Sequence, residues 1–378
     1  MLPRLLALAF VALLSLGVWT VRGPEGAPTD RSVAPDRLFV AGAGPWQGAT
    51  LLTPAGDLGA AAGSAADWLE VEGASDRRAG HAGVLGALGP SLEQVRATLR
   101  FVATVAAVDG ATGANRLQDP AFIAEHFDYY AWRASAWSGE DDRLRLTRYL
   151  VYQVQGSMVK NAVYTTALYA VPDDEVGLSE AEAEAKKSSL LRYKYSRPQV
   201  LGGVFEPGGA SAGRAWPLVY LTRADALQAQ LQGTVEVQLS SGSSQLFNVH
   251  RPNGFPYEKG ATLEKQPRYW YFRPVDGLYG YGAEGRVKLT PGASVAGDVY
   301  NLGVGKLIAL SWPSGAGRAV RLVVLGDTGG AFQPNLGQLD YLAGSFPSKD
   351  AFLAATRDMP DRVDAGILVL KQPAPDAP

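Results

Sequence analysis

Three aspartates stand in the last quarter of the chain, Asp298, Asp327 and Asp340. Asp327 opens the string DTGGA directly after the apolar run LVVLG, and residues 322–325 have the length and β-branched content of a covered strand. Gly329 and Gly330 then allow a turn with dihedrals that other residues resist. The pattern predicts a carboxylate delivered from a buried strand to the rim of a cavity. Asp340 lies in LGQLDYLAG (336–344), after a loop containing Pro334, so a second acid can converge on the same cleft. Two carboxyl groups held at unequal proton affinity are the equipment for breaking a glycosidic bond. A single aspartate of this kind is read as a turn cap; three beside glycine turns point to a site.

Other chemistries fit less well. Asp327-Thr328-Gly329 is also the spelling of an aspartic protease, but that chemistry needs two such turns face to face, and the chain holds no second DTG or DSG. GYGAEG (280–285) has the spacing of a nucleotide-binding loop, yet it runs into RVKLTPG, a strand and turn where a helix should begin. With Cys 0 there is no thiol nucleophile and no disulfide, and His81, His126 and His250 lack metal-ligand spacing. Neither a metal nor another cofactor is expected. A net charge of −2 offers no basic face to nucleic acid.

The scaffold for these acids reads as mainly β. The 378 residues, 47% of them hydrophobic, suffice for two cores, and 44 Gly with 24 Pro favour turns joining short strands. In residues 143–155, Leu144, Leu146, Leu150, Tyr152 and Val154 share one parity and Arg145, Thr147, Tyr149, Val151 and Gln153 the other, which predicts an amphipathic strand. Further strands are expected at 215–221, 226–239, 245–250, 305–312, 319–325 and 365–371. Helices should start at the capping box of Ser91 and Gln94, at Asp119 before Pro120, and at the capping box of Ser179 and Glu182.

At the N-terminus, Arg4 precedes an apolar stretch at 5–21, followed by Arg22. It reads as a signal peptide or signal anchor over 1–22, the only expected membrane contact, and implies export to the periplasm or cell envelope. Residues 23–90, rich in Gly, Ala, Pro, Ser and Asp, read as a low-complexity stalk, and 372–378 as a tail.

Several segments, in order, resemble the MltA-type membrane-bound lytic transglycosylases with their C-terminal three-aspartate domain. TPGASVAGD (290–298), LGDTGGA (325–331) and LDYLAG (339–344) are similar to the three aspartate segments. TRYLVYQVQGS (147–157) resembles TGYYEPxxxGS, LTRADALQAQLQG (221–233) the stretch ending in QGSG, NGFPY (253–257) the NGxPY element, and PRYWYFRP (267–274) the aromatic run after it. The resemblance spans roughly residues 91–371. It departs from the family at Val151 and Tyr152, which replace the Glu and Pro of YYEP, and at Thr234 and Val235, which replace the end of QGSG.

The resemblance implies a double-psi β-barrel built from both ends of the folded region, 91–165 and 276–371, with a second β domain inserted at 166–275 and a few helices. It implies cleavage of the MurNAc-GlcNAc β-1,4 bond of peptidoglycan glycan strands without water, leaving 1,6-anhydroMurNAc ends. Asp340 falls at the catalytic position, Asp327 would tune it, and Asp298, Gly329 and Gly330 would support it. Thr147, Tyr149, Gln230, Gln232, Gly233, Asn253 and Tyr257 would bind substrate. Such a mechanism requires Asp340 to be protonated near neutral pH through burial or the like charge of Asp327. The alternative is a catalytically inactive peptidoglycan-binding or scaffold protein on the same fold, motivated by Val151 and the altered QGSG.

Overall fold

The computed structural model describes residues 33–282, 286–329, 332 and 334–372, so the leader at 1–22, the tail beyond 372 and Gly330 lie outside the described residues. Among the described residues the strands are, in chain order, β1 (Phe39–Gly42), β2 (Ala49–Leu51), β3 (Phe127–Trp132), β4 (Leu144–Gly156), β5 (Thr166–Tyr169), β6 (Pro217–Leu221), β7 (Thr234–Leu239) and β8 (Ser244–Pro252). They continue as β9 (Trp270–Val275), β10 (Leu278–Tyr279), β11 (Lys288–Leu289), β12 (Ser294–Ala296), β13 (Leu307–Ser314), β14 (Gly317–Asp327), β15 (Gln338–Phe346) and β16 (Arg362–Leu370).

Strands β16, β13, β14, β12, β15 and β4 hydrogen-bond in that order, and β4 pairs back onto β16, which closes the row into a barrel. The β12–β14 and β15–β4 pairs are parallel and the rest antiparallel, as a double-psi barrel requires. Closure leaves these strands without free edges, so their near-continuous apolar runs can be buried. Leu322, Val323, Val324 and Leu325 of β14 and Ile308 and Leu310 of β13 are at most 1% exposed.

The stalk expected at 23–90 is not there over the described part. Residues 55–71 form a helix, Ala55–Val71, that packs on the helix Leu92–Thr112 against the barrel, burying Leu58, Ala62, Ala65 and Leu69. Small residues serve contact rather than flexibility: a Cβ on Gly59 would stand 2.3 Å from the Cβ of Ala106, so the two backbones meet where no larger residue fits. Arg100 ties the pair by bonding Asp67 at 2.8 Å and Glu70. Among the described residues no helix is long and apolar enough to cross a membrane.

The capping boxes at Ser91–Gln94 and Ser179–Glu182 both form, and Asp119 caps Pro120–His126. One expected strand is corrected. The segment 226–239 is a helix, Arg223–Gln232, followed by β7, because Thr222 caps it by accepting from the Asp225 N–H and the run RADALQAQLQ is rich in strong helix formers.

Strand β4 belongs to two structures at once. Its first part lies along β15 in the barrel, while Tyr152–Gly156 lies along β7, which continues through β8 to β9. The far side of this second sheet buries Val154, Val235, Val237, Phe247 and Phe272 with Val219 and Leu221 of the antiparallel β5–β6 pair. A single strand therefore fixes the second sheet rigidly beside the barrel.

Candidate active site

The site begins with a slip in register. In the parallel β12–β14 pair, Val295 lies opposite Leu325, but the next residue, Ala296, lies opposite Asp327. This irregularity brings Asp327 level with Ala296, a common use of bulges beside functional groups. On its other side Ala296 pairs with Asp340, and Asp340 pairs with Thr147. Residues directly opposite in a sheet project to the same face, so Asp327, Ala296, Asp340 and Thr147 form one row. At the usual strand spacing the two aspartate Cα atoms are ~10 Å apart, with only a methyl group between their side chains.

Both acids are enclosed, Asp327 at 7% and Asp340 at 3% exposure. Burial pushes the Asp327 carboxyl up to about 7, and the nearby Asp340 adds to the rise. The Thr328 N–H, donating at 2.8 Å, the Tyr149 hydroxyl, donating at 2.9 Å, and the charge of Arg286 pull the other way without cancelling it. Tyr149 in turn is held well above the ordinary phenol range, by burial first and then by Asp327 and Asp340. Thr147 accepts from Gln338 Nε2 at 3.0 Å and donates to the Leu339 carbonyl at 3.2 Å, which steadies β15 just before Asp340.

Asp298 has a different part. Fully buried, with its carboxyl raised by that burial, it accepts from Asn301 N at 3.1 Å, Asn301 Nδ2 at 2.6 Å and Asn335 N at 3.0 Å. It caps the turn Val299–Leu302 and fastens the loop that leads into β15.

Of the other expected residues, Gln230, Gly233 and Tyr257 line one small pocket whose walls include neither Asp327 nor Asp340. Gln230 is 4% exposed and spends its amide on the backbone of Trp270, donating to the carbonyl and accepting from the N–H, each at 2.8 Å. Asn253, 1% exposed, likewise donates to the Tyr195 and Pro267 carbonyls and accepts from Phe255 and Tyr269. Asn253 has both donors and its oxygen fully engaged, and both amides brace the second sheet. Gln232 ends the helix Arg223–Gln232 and Gly233 caps it with φ 81, its N–H donating to Ala229. Tyr257 is exposed at 46%, whereas Tyr269, Trp270 and Tyr271 are packed inside. Gly329 follows β14, but a Cβ there would meet nothing nearer than Phe332, at 3.9 Å, so space alone does not demand glycine. Gln338 and Arg286 were not singled out from sequence; strand parity, two residues before Asp340, is the signal that marks Gln338.

A raised carboxyl has a consequence for stability. Asp327 binds its proton more tightly folded than unfolded, so its contribution is intact below its unfolded pKa and is lost as pH rises from about 4 towards about 7. Asp327→Asn should therefore stabilise the fold above pH 7 by on the order of a few kcal/mol, with no gain near pH 4. Urea unfolding at both pH values checks this, and an equal gain at both would contradict it.

The fold class is a closed double-psi barrel with an inserted sheet, carrying two coupled, buried carboxyl groups in one row. Residues 145–267 match the family described as the MltA specific insert domain. Among solved structures the chain is similar to MltA from Neisseria gonorrhoeae in its monoclinic form, at 16% identity and TM-score 0.54 over 90% of this chain and 96% of that one. It is similar to E. coli MltA with bound chitohexaose, at 17% identity and TM-score 0.51 over 89% and 94%. A membrane-bound lytic murein transglycosylase from Agrobacterium tumefaciens aligns at 14% identity and TM-score 0.51 over 82% and 91%. Comparison with curated protein sequences gives no match. The chain thus shares the fold of the MltA lytic transglycosylases and carries their specific insert.

Proposed function

We propose that this protein is a peptidoglycan lytic transglycosylase that cleaves the MurNAc-GlcNAc β-1,4 bond to leave a 1,6-anhydroMurNAc end. The observation that carries the reading is the row of Asp327, Ala296, Asp340 and Thr147, in which two enclosed carboxyl groups face one side and one of them keeps its proton to about pH 7. Such a pair holds a proton under neutral conditions, which is what protonating a glycosidic oxygen demands.

Asp340 is assigned as the group that meets the substrate. It donates a proton to the bridging oxygen as the C1–O bond breaks, and GlcNAc departs as the free alcohol. Its carboxylate then takes the proton of the same MurNAc residue's 6-hydroxyl while O6 bonds to C1. Proton and bonds balance without water. Asp327, whose proton affinity Asp340 raises, is assigned to tune the pair and is itself positioned by Tyr149. Thr147, Tyr149, Gln232 and Tyr257 remain candidates for glycan contact, whereas Gln230 and Asn253 act by holding the second sheet.

The E. coli MltA structure with chitohexaose supports a glycan ligand for this fold. The 5–21 stretch, outside the described residues, supports work in the periplasm or cell envelope. Purified protein incubated with sacculi should release anhydro-ended muropeptides detectable by mass spectrometry. Unaltered sacculi would favour the inactive glycan-binding alternative.

A further inference from the structure

A cleft of about 770 Å³ opens beside the second sheet, lined by Glu236, Leu246, Arg273, Asp276, Tyr279 and Arg286 among others. It adjoins the acids, since Arg286 acts electrostatically on Asp327. Arg273 stands on the sheet face turned away from the apolar core, on one row with Asn248 and Thr234. Among the described residues its guanidinium makes no hydrogen bond or ion pair, although its Nε is shut off from solvent. A half-buried cation without a counter-charge is costly unless something else supplies one.

The surroundings deepen the deficit. Arg286 approaches from another segment, and burial first and then Arg273 hold its guanidinium down to about 10 against the opposing pull of Asp327 and Glu180. Behind them Arg192 and Arg251 share the single carboxylate of Glu175. His250, in the bulge of β8, feels all four arginines and is held down to about 4, mostly by burial, so it stays neutral. The acids of the lining do not quench Arg273. Asp276 is engaged by the Tyr279 hydroxyl at 2.5 Å, and Glu236 lies within 3.4 Å of the Gln238 amide. Beside Arg273 in the row, outside the cleft lining, Asn248 donates to Thr234 at 3.0 Å.

We propose that this cleft is a subsite for the carboxylate-bearing peptide that branches from the glycan, with Arg273 pairing a peptide carboxylate. A lining of both signs, with Arg273 and Arg286 beside Glu236 and Asp276, suits a zwitterionic peptide better than a simple anion. The proposal rests on the reading of the neighbouring acids as a peptidoglycan-cleaving centre, and it makes Arg273 a determinant of specificity for peptide-substituted over bare strands.

Calorimetric titration of the full chain with a free peptidoglycan stem peptide, and with the same peptide amidated at its carboxylates, tests this directly. Amidation should weaken binding by about tenfold, and Arg273→Gln should lose about the same factor for the carboxylate peptide and nothing for the amidated one. Arg273→Lys should recover part of the loss. Equal affinity for the two peptides, or undiminished binding by Arg273→Gln, would overturn the proposal. In parallel, Arg273→Gln should raise KM on peptide-bearing strands and leave strands stripped of peptide unaffected; an equal change on both would also overturn it. Failure of the wild type to cut either strand would count against the transglycosylase reading, while the titrations still decide the subsite.

Discussion

Asp340→Asn should lower the release of anhydro-ended fragments from sacculi by at least about a thousandfold, within the span expected when a general acid–base group is removed. The change is nearly isosteric. It keeps the pairings of β15 with β12 and β4, which run through backbone groups, and so should leave the fold intact. An amide in this place can neither release a proton to the bridging oxygen nor take one from the 6-hydroxyl. Mass spectrometry of the digest reads the loss, and circular dichroism checks the fold. Activity within tenfold of wild type would remove Asp340 from the chemistry. The assignment would then pass to Asp327, the carboxyl that holds its proton to about pH 7.

Glu175→Ala should be the most destabilising single change considered, at about 3–5 kcal/mol, the range for stripping the partner from a buried ion pair. Glu175 is 1% exposed and accepts from Arg192 Nε at 2.7 Å and Arg251 Nη1 at 2.7 Å. Both arginines also donate to carbonyls, Arg192 to Pro252 and Arg251 to Leu178, so neither can swing out to water without breaking further bonds. The triad pins the turn Asp173–Glu175 and the turn Leu191–Tyr193 to β8. With the carboxylate gone, two enclosed guanidinium groups face each other unpaired. Urea unfolding should show the midpoint falling steeply, and a loss below about 1 kcal/mol would mean that the pair is solvated despite its burial.

Much of the barrel was legible because its strands repeat with period two and its acids sit on short, well-marked segments. Alternation along 143–155 located β4, and the apolar run before Asp327 located β14. The spatial relation of the acids was not legible, since it depends on the register slip that sets Ala296 beside Asp327. Ala55–Val71 was hidden for a different reason: its glycines and alanines look like linker composition, and only the 2.3 Å approach of Gly59 to Ala106 reveals that smallness is the packing device. The segment 226–232 carried helix formers that strand patterning overrode. Gln230 and Asn253 read as ligand groups from resemblance, but polar side chains so deeply enclosed must find hydrogen-bond partners, and here the backbone supplies them to both. Arg273 sits next to Phe272 in an aromatic run, where alternation places one residue in the core and its neighbour on the open face.

In the proposed mechanism a buried carboxyl moves one proton out and one back while the sugar's own hydroxyl, not water, closes on C1. Digesting sacculi in heavy-oxygen water tests it most directly. The digest should contain anhydro-ended fragments that carry no heavy oxygen at the new MurNAc end. Reducing ends labelled with heavy oxygen would contradict it, because they would show that water had attacked and that the pair of acids works as a hydrolase.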